Sequence, residues 1–246
     1  MNLSNRGVAL AQGMFVSSST AQHVLGTRGY TKDGRAFRYV LAGGTSLVAG
    51  TAIQSPVIPT GQNTRAVNTT TSTAVGSLQV TLTCGSSVAA GFYNAGYLTI
   101  ASGAGAGYDY TIQSHPAVST GATGIFTLYG EDALQVAITT TSTVTLTPNK
   151  YSGVVIFPTT GTGVLVGVAT YVITNAQYGW VQTWGPCAVK GADTTAIGAW
   201  VYVPATTAGE VSGFTAATLL TGQAVGRLMR VSVAQEFVVV DLTISP

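Results

Sequence analysis

The chain has 246 residues, of which only 7% are charged and 46% hydrophobic, with 31 glycines and a formal net charge of +2. Ordinary soluble domains carry roughly 25% charged residues, so this chain has little to hold its copies apart in solution and suits packing against itself or a larger scaffold. The longest apolar stretch, 164–173, is broken by Gly167 and Thr170 and reaches about half of the roughly 20 residues that a spanning helix needs, which excludes a transmembrane helix.

The first residues, Met1 to Arg6, lack a basic stretch followed by a continuous apolar core, so the chain reads as cytosolic in origin and not secreted. Residues 1–65 hold six basic residues against Asp33 alone, a net +5, while 66–246 hold four basic against seven acidic residues, a net −3. Asp33-Gly34 lies between two extended runs and predicts a β-hairpin over 24–42. That hairpin carries Arg28, Lys32, Arg35 and Arg38. In the strand 36–41, Arg38 shares a face with Ala36 and Val40, and Phe37, Tyr39 and Leu41 share the other.

Further along, nearly every patterned segment has a period of two. Leu78, Val80 and Leu82 alternate with Ser77, Gln79, Thr81 and Thr83, and the same device recurs over 134–147, 164–173, 177–184, 197–203 and 236–244. Such alternation, rich in β-branched residues and punctuated by Gly and Pro turns, predicts short half-buried strands. The Thr-rich runs 69–73 and 139–143 resemble each other, but no second copy of the intervening sequence follows, so they read as two strands of similar composition. The fold expected is all-β, made of β-sandwich or barrel-like units with an extended N-terminal arm and hairpin. Three divisions are expected: an arm and basic hairpin over 1–60, a Thr/Gly-rich β subdomain over 61–150 and a C-terminal β domain over 151–246.

No catalytic pattern emerges. His23 and His115 have no carboxylate or cysteine close in sequence, so they read as solitary surface or loop histidines. Glu131-Asp132 is the only adjacent carboxylate pair, and neighbouring strand positions face opposite ways; in a turn it would need further oxygen ligands to hold Ca2+. The glycine-rich stretches 103–107 and 161–167 lack the lysine of a phosphate loop and the third glycine of a dinucleotide fingerprint, and read as turns or bulges. Cys84 and Cys187 are far apart and read as free thiols. The reading is therefore of a protein that is no enzyme and has no cofactor, no metal and no direct nucleic-acid partner, since +5 over 65 residues is no dense basic stripe.

The aromatic residues carry more. Tyr178, Trp180, Gln182 and Trp184 alternate along one strand, with Trp200 nearby. Such a ladder belongs in a core or subunit interface, or on an exposed face that binds glycan.

The segments Tyr108 to Pro116, Tyr151 to Val154, Val166 to Ala169 and Tyr178 to Cys187 resemble virion proteins of tailed bacteriophages. The pattern of 166–169, the aromatic strand, Gly198, Gly222 to Gly226 and the terminal Val-Val-Val-Asp-Leu run is similar to that of phage head decoration, or cement, proteins. The resemblance spans about 25–60 and 95–246. It implies a structural protein on the outer capsid surface of the virion, tying neighbouring capsomers together. The implied partners are the major capsid protein and further copies of itself, a trimer rather than a dimer. A basic hairpin that meets an acidic capsid surface fits that expectation. The reading from a different class is a receptor-binding or tail-fibre protein that uses the Trp/Tyr face on a glycan.

Overall fold

A computed structural model describes residues 8–9, 13–68, 73–214 and 222–246. Among them the chain is all-β, with only two single-turn 3-10 helices, Thr60–Gln62 and Gly130–Asp132. The early strands are β1 (Val8–Ala9), β2 (Arg28–Tyr30), β3 (Ala36–Ala42) and β4 (Ala52–Gln54). The middle strands are β5 (Arg65–Asn68), β6 (Gln79–Thr83), β7 (Tyr97–Ser102), β8 (Asp109–Ser114), β9 (Thr123–Leu128) and β10 (Thr143–Thr147). The late strands are β11 (Ser152–Ile156), β12 (Leu165–Ala169), β13 (Tyr178–Lys190), β14 (Trp200–Val203), β15 (Ser212–Gly213), β16 (Gln223–Leu228) and β17 (Phe237–Thr243).

Two compact units result: residues 58–149, and residues 1–57 together with 150–246. The middle unit is a closed antiparallel barrel in the order β10-β5-β6-β9-β8-β7. Apart from β6, where Thr81 is buried between Val80 and Leu82, its strands face the core mainly on one side, and β10 alternates strictly, with Val144 and Leu146 inside. Val80, Leu82, Leu98, Ile112 and Phe126 meet them there, each burial of this kind contributing about 1.5–3 kcal/mol. Of the expected strand 134–147 only β10 forms. Residues 134–138 are a loop whose Leu134 and Ile138 plug into the barrel core, tied by single bonds from Leu134 N to Ser77 O and Ile138 N to Thr73 O. The alternating pattern there marks two anchors and no ladder. Most of the Thr-rich run 69–73 lies outside the described residues.

The other unit is one sheet, β1-β2-β3-β11-β4-β12-β13-β17-β16-β14-β15, with an additional pairing between β3 and β13. That pairing closes β3, β11, β4, β12 and β13 into a ring around Val40, Ala42, Ile53, Val154, Val166 and Val181. Close approach needs glycine at one joint: a Cβ on Gly43 would stand 2.6 Å from the Cα of Gly153. Past Gln182, β13 pairs with β17, from Trp184 opposite Thr243 to Lys190 opposite Phe237. Val211, just before β15, is bridged back to Gly191 at the end of β13, so β13, β17, β16, β14 and this segment enclose a second core of Val189, Val201, Val225, Val240 and Leu242. A single 13-residue strand thus serves both rings.

The expected separation of 1–60 from 151–246 does not hold. β3 is a wall strand of the first ring, paired from Leu41–Tyr178 to Ala36–Trp184 with β13. The chain then leaves this unit after β4 and returns on β11, which is β4's antiparallel neighbour with Gln54 opposite Val155.

Candidate interaction surfaces

The hairpin forms as its sequence predicts. Thr31 N donates to Arg35 O and Gly34 N to Thr31 O, both at 3.0 Å, and Gly34 takes a φ of 87° that a residue with a Cβ adopts only with strain. Its register sets Arg28 directly opposite Arg38 and Tyr30 opposite Ala36. The four basic candidates are therefore gathered on one hairpin, in different circumstances. Arg35 is neutralised by Asp33, with Nε 2.9 Å from Oδ2, and lies over the Phe37 ring at 5.9 Å. The Thr31 hydroxyl, with Arg35 beside it, holds the Asp33 carboxyl below its usual pKa. Arg38 is half-buried and donates to Gly26 O at 3.2 Å and to Ser245 Oγ at 3.0 Å, both neutral acceptors. Arg28 is half-buried as well, and its Nε is shut off from water with no hydrogen-bond partner. Lys32 is exposed. An open cavity of about 510 Å³ lies here, lined among the described residues by Arg28, Tyr30, Thr31, Lys32 and Gly34.

The aromatic ladder is split. Trp180 is buried with Phe37 and Tyr39, at ring distances of 5.0 Å from Tyr39 and 5.2 Å from His23. Tyr178 is half-buried and stacks on Tyr39 at 5.9 Å. What covers them is the segment 13–27. Ser18 and Tyr178 exchange two backbone bonds of 2.8 and 2.9 Å, Gln22 N donates to the Tyr39 hydroxyl at 3.0 Å, and the Tyr171 hydroxyl donates to Val16 O at 2.6 Å. This part of the expected arm is a strap laid over its own sheet. Both faces of β3 are buried as a result, and the Phe37 and Tyr39 side is not free to meet a partner.

Beyond the strap the same face of β13 opens to solvent. Trp184 is 38% exposed; Pro186 and Ala188 follow it at the surface, facing Asp241 and Val239 of β17. Phe237 at 61% and Val239 at 37% continue the patch, and Met229, Val231 and Val233 are exposed just ahead of β17. Trp200 is exposed too; Arg227, directly opposite it on β16, stacks on the ring at 4.6 Å. Neither Trp184 nor Trp200 belongs to the core. The apolar outer face of β17 was missed in the sequence, where its signal is an apolar residue on both faces of the strand at 237–240. Beside Trp200 an open cavity of about 780 Å³ is lined among the described residues by Ala196, Ala199, Phe214, Ala224 and Asp193, with Asp193 engaged by the Thr195 hydroxyl at 2.7 Å.

The groups with catalytic chemistry are otherwise occupied. His115 lies in the loop that follows β8, one of the two positions expected, but it is buried there and not at the surface. Its Nε2 accepts from Tyr93 N at 2.9 Å and its Nδ1 lies 2.8 Å from Pro116 O, which fixes the neutral tautomer, and burial lowers its pKa. Cys84 and Cys187 are free and buried in different cores; burial raises both thiols, Cys187 to about 12. Glu131 and Asp132 lie in the second 3-10 turn, where Asp132 Oδ2 accepts from Thr111 N at 3.0 Å. Among the described residues no three potential metal ligands cluster, and no helix is long and apolar enough to cross a membrane. Lys190 pairs at 2.8 Å with Glu210, which is 2% exposed. No family model, no curated protein and no solved structure matches this chain.

Proposed function

We propose that the chain is a structural protein of a tailed-phage head, which binds the outer capsid surface and cements neighbouring capsomers. The observation that carries this reading is the open outer face of β13 and β17. Trp184, Pro186, Ala188, Phe237 and Val239 leave a contiguous apolar strip on a chain with few charges, and such strips mark protein contacts on soluble proteins. Further copies of the chain and the major capsid protein are the occupants that this function supplies, and many weak copies acting together hold a shell. The test is stoichiometry and rebinding. In purified virions the chain should approach the major capsid protein in copy number, and recombinant protein should saturate heads that lack it. A copy number typical of tail fibres, with no binding to heads, sinks the proposal.

The exposed rings of Trp184 and Trp200 support the receptor-binding alternative, since a glycan stacks on open aromatic faces. Trp184→Ala and Trp200→Ala separate the two. Loss of cell or glycan binding with head occupancy unchanged favours the alternative; loss of head occupancy favours the cement.

A further inference from the structure

We infer that Arg28 and Arg38, with Lys32 at the rim, form a binding site for an oxyanion, either a carboxylate or a phosphate. In an antiparallel pair, side chains directly opposite have Cβ atoms about 4.5–5.5 Å apart, and like charges placed so repel. Arg28 and Arg38 stand in that relation. The hairpin's one carboxylate, Asp33, is spent on Arg35. Neither Arg28 nor Arg38 has a carboxylate within ion-pair distance among the described residues. Both Nε atoms are shut off from water without a partner. Arg38 is held in place by the neutral Gly26 O and Ser245 Oγ, which fix its guanidinium and leave its charge unopposed.

An arginine fork that has lost water from one donor and gained no acceptor is costly. An anion that accepts from the remaining N–H groups of both guanidinium groups removes the repulsion, and two planar forks suit the two oxygens of a carboxylate or phosphate. The cavity of about 510 Å³ beside Arg28, lined also by Tyr30, Thr31 and Lys32, leaves room for the anion. This deepens the capsid reading by giving the partner a chemistry, an acidic side chain. Its test uses no heads, so either can fail alone.

The test is thermal unfolding of the full chain in NaCl, sodium succinate or sodium phosphate at equal ionic strength, for wild type, Arg28→Gln and Arg35→Gln. At about ten times its dissociation constant, the bound anion should raise the wild-type Tm by about 3–5 °C. Arg35→Gln should respond as wild type does, because Arg35 is already paired. Arg28→Gln should lose the response. In NaCl alone it should melt about 2 °C higher than wild type, the repulsion being gone. A stronger response to succinate assigns the site to an acidic side chain, and a stronger response to phosphate assigns it to a phosphate group. No response beyond that to NaCl, an undiminished response in Arg28→Gln, or a lower Tm of that variant in NaCl overturns the inference.

Discussion

In the middle barrel, half of the six pairings join neighbours in the chain, β5 with β6, β7 with β8 and β8 with β9, and the longest, β5 with β10, sets Arg65 opposite Val144. In the other unit the decisive pairing joins Tyr39 to Trp180, two residues on opposite sides of the whole intervening barrel in sequence. Most barrel walls, β6 at Thr81 apart, are buried on one side only, whereas β3 and the first half of β13 are covered on both, by the ring's core within and the strap without. One unit closes within a single continuous stretch of chain, 58–149. The other must wait for its ends to meet, and it concentrates its large aromatic residues at that meeting place. Closing so long a loop before any reward arrives is slow.

The largest test of this contrast is to delete residues 1–42. That removes β2, β3 and the strap, so the first ring cannot close, while 58–149 should still fold. Calorimetry should then show one transition retained, with the β signal of the barrel. Survival of every transition would mean that β3 is dispensable. Next in size is Trp180→Ala, which should cost about 3–5 kcal/mol in denaturant titrations. Trp184→Ala, four residues on in the same strand, should lie within about 0.5 kcal/mol of wild type. Equal losses would show that the strap does not distinguish the two halves of β13. Gly226→Ala should follow at about 1–3 kcal/mol, because its Cβ would fall 2.0 Å from Asp241 O in the β16–β17 ladder.

The smallest effect belongs to the barrel and depends on pH. The pKa of His115 is lowered on folding by burial, so the unfolded chain binds the extra proton first. Stability is then full above the ordinary histidine pKa of about 6.5 and falls as pH drops below it, levelling off beneath the folded-state value. Protonation would also set an N–H against the Tyr93 N–H that now donates to Nε2. The urea midpoint of the barrel should decline between pH 7.5 and 5, and His115→Phe should flatten that decline.

How much of this was visible in the residues follows from which faces are covered. Alternation is legible where one face meets the core and the other solvent, as in β10 and β17. It becomes misleading over 134–138, where two apolar anchors four residues apart plug a loop into the core. The strap escaped notice because residues 13–27 act through backbone bonds and a few contacts, with no periodic apolar face to announce them. Each arginine of the hairpin could be seen. That Arg28 faces Arg38 while Arg35 is spent on Asp33 depends on a register fixed by the turn. The split of the Trp ladder into a buried and an open half was illegible, since its pattern is uniform and only the cover changes.

The β4–β11 joint also bears on how such a chain can be altered. These strands are antiparallel neighbours, a few ångströms apart as adjacent strands are, so the whole middle barrel occupies the place of a hairpin turn. A host sheet of this kind asks only that its guest have closely spaced ends. The barrel is therefore an exchangeable cassette: a short turn, or a foreign domain with neighbouring termini, could be spliced between Val57 and Lys150 without touching a strand of either ring.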